Sequence, residues 1–204
     1  MCARSPIFPV NRFQVNMGFV DLLRRRRSRR LASAMRPWSP AQSEGHVIQF
    51  YTGPYPAKSI ALFMQEGLDA GEVALVIATP AHVRSIDHHL NGRGRVLYLD
   101  ADETLARFMV DGRPDRLRFL DTVGDLVQQA AERGGAVRAF AETVALLCER
   151  GEPEAALELE ALWNELAARQ RVKLLCSYPL DVVEGRNRPH AVRLRDAHSH
   201  AVPD

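Results

Sequence analysis

The six residues VALVIA, Val73 to Ala78, are apolar without alternation. A strand with one face in water alternates, so this run belongs to a strand covered on both faces, which is the situation of a central strand in a parallel sheet. That placement demands helices on either side. The rest of the chain from Gly45 onward supplies them, as short apolar runs separated by segments of helical period.

HVIQFY, His46 to Tyr51, is rich in branched and aromatic residues and reads as the first strand. A helix is expected from about Pro56, with Ile60, Phe63, Met64 and Leu68 at helical spacing until Gly71. Thr79 followed by Pro80 is a cap and a first-turn proline, so a helix should run to about Leu90 before Asn91 and Gly92. The third strand is RVLYL, ending at Asp100, and Asp100 with Glu103 has capping-box spacing ahead of a short helix closed by Gly112. A longer helix begins near Pro114 on a stripe of Leu117, Leu120, Val123, Leu126, Val127 and Ala130, and Gly134 and Gly135 break it.

AVRAF, Ala136 to Phe140, is the fourth strand, followed by a helix through Leu146 and Leu147 that ends by Gly151. Another helix is expected from Pro153 to about Arg169, then a last strand, VKLLCSY, from Val172 to Tyr178, and a short helix around Val192 to His198. The fold class is therefore α/β, a three-layer sandwich around a mostly parallel sheet of about five strands joined by right-handed crossovers. Ligands collect beyond the carboxyl ends of such strands, which directs attention to residues 51–55, Thr79, Asp100, Glu142 and Tyr178 with Pro179.

The charge is unevenly divided. The whole chain of 204 residues carries +2, but residues 1–44 hold nine arginines against Asp21 and Glu44, a balance of +7, which leaves −5 for residues 45–204. Residues 1–44 show no sustained period and contain the run LLRRRRSRR, so they read as a basic, disordered extension preceding a domain at 45–204. Such a run could hold nucleic-acid phosphates, an anionic surface or an acidic partner, or it could be a solvated tail. No apolar stretch is long enough to span a membrane and the first residues lack a secretory pattern, so a cytoplasmic protein is expected. Cys2, Cys148 and Cys176 are odd in number and far apart, which suggests buried free thiols instead of disulfides.

A phosphate loop after the first strand would need glycine at 52 and 57 ahead of Lys58 and Ser59, and the chain has Thr52 and Ala57. Pro54 and Pro56 also remove two N–H donors. Lys58 and Ser59 are therefore expected on a helix surface, the alternative being a degenerate RecA-like nucleotide-binding protein in which this loop supports weak ATPase activity. Arg138 within an apolar strand, Glu142 just beyond it and Glu160 on the long helix are charged groups in apolar surroundings, which are costly unless paired. Either Arg138 pairs with Glu142 or Glu160 to hold strand to helix, or one carboxylate faces a ligand at the strand tips. No nucleophile accompanies the two carboxylates, so no enzyme is expected. His198, His200 and His46 could offer imidazoles to zinc, copper or iron if the C-terminal segment folds back on the sheet. Residues two apart on a helix point away from each other, so no metal and no cofactor is assigned.

The order of the stretches HVIQFY, GLDAGEVALVIATP, LDADETLARFMVDGRPDRLRFL, AVRAFAETVALLCERGEPEAALELEALWNEL, LLCSYPL and AHSHAVP resembles the MEDS domain, the methanogen/methylotroph DcmR sensory domain, from about residue 46 onward. The resemblance implies a RecA-like or KaiC-like core without a working phosphate loop and a sensory role upstream of transcription or kinase signalling. It adds weight to His46, Tyr51, Glu142, Glu160 and Tyr178 as ligand-binding candidates beside Arg138. The chain departs from the family in carrying TGPYPAK after the first strand, where an acidic segment is usual. With no kinase or helix-turn-helix segment in view, output is expected to pass to a separate regulator or kinase, with a small-molecule ligand, and a homodimer is compatible with this.

Overall fold

The computed structural model describes residues 45–185 and 188–203. The expectations for the Arg-rich extension lie outside the described residues.

Six strands form one sheet in the order β3-β2-β6-β7-β1-β8, with every neighbouring pair parallel. The strands are β1 (His46–Tyr51), β2 (Val73–Ala78), β3 (Val96–Asp100), β6 (Val137–Ala141), β7 (Val172–Pro179) and β8 (His200–Pro203). β2 lies between β3 and β6 and is wholly buried, as its unbroken apolar run requires. The expected five strands are present. β8 is an addition, pairing Val47 with His200 and Gln49 with Val202 along the outer side of β1. Its four residues end in proline and carry too few apolar side chains to announce a strand.

The helices are α1 (Ala57–Asp69), α2 (Pro80–Asp87), α3 (Ala101–Phe108), α4 (Arg116–Phe119), α5 (Asp125–Gly134), α6 (Thr143–Arg150), α7 (Pro153–Arg169), α8 (Leu180–Glu184) and α9 (Ala191–Asp196). α1 and α2 cover one face of the sheet, where Ile60, Phe63, Met64 and Ile86 meet Val47, Val76, Phe140 and Leu175. The helices from α3 to α9 cover the other, where Phe108, Phe119, Leu159 and Trp163 meet Ile48, Ile77, Leu174 and Tyr178. This is the three-layer arrangement. Among the described residues no helix is long and apolar enough to cross a membrane.

Several local expectations shift for identifiable reasons. Asp100 does cap α3, accepting from the Glu103 N–H at 2.9 Å. That helix ends at Phe108, and the Asp111–Gly112 dipeptide, with φ of 50° and 75°, instead turns a two-residue hairpin between β4 (Met109–Val110) and β5 (Arg113–Pro114). Between α4 and α5 the chain makes a π turn, Leu120–Gly124. A π turn inserts an extra residue and rotates what precedes it. Leu117, expected in the core stripe, is consequently 66% exposed, and Phe119 takes the buried position.

Candidate functional site

The chain leaves β2 for α2 on one face of the sheet and leaves the adjacent β6 for α6 on the other. The carboxyl ends of β2 and β6 therefore open on a topological switch point, where parallel sheets bind ligands. Thr79 and Glu142 stand at this crevice, immediately after the two strands. Thr79 occupies the N-cap position of α2, but its side chain makes no cap hydrogen bond. Its backbone N–H instead donates to Glu142 Oε2 at 2.9 Å. The other carboxylate oxygen, Oε1, contacts Nδ1 of His82, which lies in the first turn of α2. The His82 ring is stacked on Tyr55, with centroids 3.5 Å apart and planes within 4° of parallel. Tyr51 packs edge-on to Tyr55. Among the described residues the buried Tyr55 hydroxyl has no hydrogen-bond partner, and burial, followed by the Glu142 and Tyr51 charges, pushes its pKa upward. Glu149 is likewise raised, by burial first and then by Glu142.

Lys58 is exposed on α1, as expected of a residue outside any phosphate loop. Ser59 is spent on internal contacts: its hydroxyl donates to the Pro56 carbonyl at 3.0 Å and accepts from Gln49 Nε2 at 2.7 Å.

A second set of polar groups lies inside the molecule. β1 and β7 run side by side with Ile48 opposite Cys176, and period-two alternation puts His46, Cys176 and Tyr178 on the face covered by α7. Glu160 of α7 is fully buried there and accepts from the Tyr178 hydroxyl at Oε1. The return of the chain from α9 into β8 brings in His198, whose side chain is also fully buried. Its neighbour but one, His200, is exposed. Across this centre His46 Nε2 lies 3.3 Å from Glu160 Oε2 and 3.4 Å from Cys176 Sγ, and His198 Nε2 lies 3.3 Å from Glu160 Oε1.

The outer nitrogens of the two rings are fixed. Asn164 Nδ2 donates to the Ala197 carbonyl at 2.8 Å, so its Oδ1 faces His46 Nδ1 at 2.9 Å and accepts from it. His198 Nδ1 donates to the Leu194 carbonyl at 2.7 Å. Burial lowers the His46 pKa to about 4, against the opposing pull of Glu160. For Glu160 burial pushes upward, while the imidazoles of His198 and His46 and the Tyr178 hydroxyl pull further the other way and hold the carboxyl below its ordinary range. Burial and the Glu160 charge push the Cys176 thiol and the Tyr178 phenol well up.

Of the six residues singled out in the sequence, His46, Glu160 and Tyr178 thus converge in the interior, while Glu142 and Tyr51 stand near the crevice. Arg138 belongs to neither group. It was expected to pair with Glu142 or Glu160, but it points to the opposite face and bonds Glu72 Oε2 at 2.8 Å and Glu66 Oε2 at 3.3 Å, with its guanidinium 4.8 Å over the Phe63 ring. Gly67 makes room for it, since a Cβ there would lie 2.7 Å from Arg138 Nε. Sequence reasoning missed Cys176, Asn164 and His82. Strand alternation could have aligned Cys176 with Tyr178, but nothing local marks Asn164 or His82.

These features define a parallel α/β domain whose polar groups gather at a switch-point crevice and in a buried centre. The chain belongs to the MEDS family: the model of the MEthanogen/methylotroph, DcmR Sensory domain matches residues 45–196. By family it is a sensory domain. No curated protein and no solved structure matches the chain.

Proposed function

We propose that the domain is a non-catalytic sensor, which binds a small ligand or a partner regulator at the switch-point crevice and passes its occupancy to a separate transcriptional or kinase output. The supporting observation is the condition of Glu142. Both of its oxygens are engaged, by the Thr79 N–H and by His82, so it is held as a receptor group and not as a free base. A ligand bearing a hydrogen-bond donor can exchange with the His82 contact. Because His82 stacks on Tyr55, that exchange moves the loop following β1 together with α2, which gives the two conformations a sensor needs.

A thermal-shift screen of the full chain against metabolites and nucleotides tests this. The expected result is a stabilising compound whose effect disappears in Glu142→Gln while the variant remains folded. Steady turnover of a substrate, abolished by the same substitution, would overturn the reading.

A further inference from the structure

We propose that His46, Glu160, Cys176 and His198 form a tetrahedral binding site for one divalent transition-metal ion of the zinc class. The four donor atoms all lie within 4.8 Å of one another. His46 Nε2 lies 3.3 Å from Glu160 Oε2 and 3.4 Å from Cys176 Sγ, while the 3.3 Å approach of His198 Nε2 is to the other carboxylate oxygen, Oε1. Donors bound at ordinary zinc distances to a tetrahedral centre are about 3.3–3.7 Å apart, so the two His46 separations already match coordination spacing.

The hydrogen bonds explain why a cation belongs there. Asn164 and the Leu194 carbonyl take the Nδ1 protons of His46 and His198, so Nε2 is the ring nitrogen that each histidine turns toward the Glu160 carboxylate. Among the described residues the Tyr178 hydroxyl donates to Glu160 and Cys176 Sγ lies against His46 Nε2. Among the described residues, Glu160 Oε2 and His198 Nε2 are buried with no hydrogen-bond partner. Buried polar atoms without partners are costly, and a metal ion placed among the four donor atoms satisfies them at once. The outer hydrogen bonds to both Nδ1 atoms and to Glu160 Oε1 orient the rings and the carboxylate, as such contacts do in metal centres.

Charge and ligand type fix the class of ion. One carboxylate and one thiolate neutralise a divalent cation, so the loaded centre carries no net charge into the interior, and the thiol proton is released to solvent on binding. Two imidazoles, a thiolate and a carboxylate suit zinc, and a mixed shell of this kind excludes magnesium and calcium, which prefer oxygen alone. All four positions are taken by protein, as in structural sites. The ligands come from β1, β7, α7 and the segment joining α9 to β8, so the ion fastens the C-terminal segment to the sheet.

The test uses the full chain without an affinity tag, expressed with added zinc and analysed by elemental mass spectrometry, followed by stripping and titration with Co2+. About one ion per chain is expected, with cobalt giving tetrahedral visible bands and a thiolate charge-transfer band in the near ultraviolet. Cys176→Ser abolishes the charge-transfer band and Cys148→Ser retains it. His198→Gln lowers affinity by more than about tenfold, since loss of an outer hydrogen bond alone costs roughly 10–100-fold. His198→Gln also serves as the second variant if Cys176→Ser does not fold. A chain that retains no metal and takes up no cobalt, or uptake unchanged by both substitutions, overturns the proposal. So does a metal-free chain whose nitrogen NMR shows protonated Nε2 atoms, which would mark a proton-linked histidine and glutamate cluster instead. Metal content is measured without any signal molecule, so its absence leaves the crevice reading to the Glu142→Gln screen.

Discussion

The backbone N–H of Thr79 donates to Glu142 Oε2 across the switch point, tying the end of β2 to the end of β6. Thr79 opens α2, where the first N–H groups have no partner within the helix, and Glu142 satisfies one of them while presenting negative charge to the positive end of that helix. Glu142→Ala removes both effects and is expected to lower unfolding free energy by about 1–3 kcal/mol, read from urea denaturation. Glu142→Gln keeps a carbonyl acceptor and should cost less than the alanine variant. Equal loss in both would mean that packing, and not the hydrogen bond, holds the crevice together.

Arg138 and Glu72 make the stability of the other face depend on pH. Burial pushes the Glu72 pKa up, but hydrogen bonds from Arg138 and Lys173 outweigh it and hold the carboxyl below its ordinary value of 4.5. A depressed carboxyl stabilises the fold fully above the unfolded-state pKa, and that contribution is lost as pH falls through the folded-state value. Glu72→Gln should therefore destabilise by about 1–3 kcal/mol at pH 7, with the gap to the parent chain closing below about pH 4.5. Denaturation midpoints at intervals between neutral and acid pH measure this. A gap that stays constant to strongly acid pH would show that Glu72 acts through shape alone.

What could be read from the sequence was whatever depends on local period. The buried run at Val73 to Ala78 places a central strand, and the helix expected from Pro153 to about Arg169 is α7, Pro153–Arg169. Contacts set by tertiary register were not legible. His46 and Asn164 meet across 118 residues, and that meeting depends on how α7 packs over the β1–β7 face, which no local pattern records. Arg138 is a charge that needs a partner, and strand alternation sends it to the α1 face, towards Glu72 and away from Glu142 and Glu160. Leu117 failed for a different reason, because periodicity assumes an unbroken helix and the π turn at Leu120–Gly124 breaks it.

Gly45 is required by both conformation and space. Its φ is +80°, and a Cβ would lie 2.9 Å from Ser199 Oγ, at the point where the C-terminal segment meets the start of β1. Gly45→Ala is expected to cost about 1–3 kcal/mol through the left-handed backbone alone. Adding Ser199→Ala should recover only the part due to the clash. Full recovery in the double variant, measured by thermal or chemical denaturation, would assign the whole cost to contact with Ser199.

Asn164 links three parts of the buried centre, since one amide group of α7 donates to the Ala197 carbonyl and accepts from His46. Removing it leaves a carbonyl and an imidazole N–H without partners, at a cost of about 1–3 kcal/mol for each group that stays buried. The loss should be local at first, because the segment it holds is short and lies on the edge of the sheet. The Ser199 N–H, which donates to the His46 carbonyl at 2.7 Å, and the amides of β8 are expected to exchange with solvent faster in Asn164→Ala, while those of β2 keep their protection. Hydrogen exchange followed by mass spectrometry resolves the two regions. Uniform acceleration across both would mean that Asn164 supports the whole domain and does not specifically hold the C-terminal segment to β1.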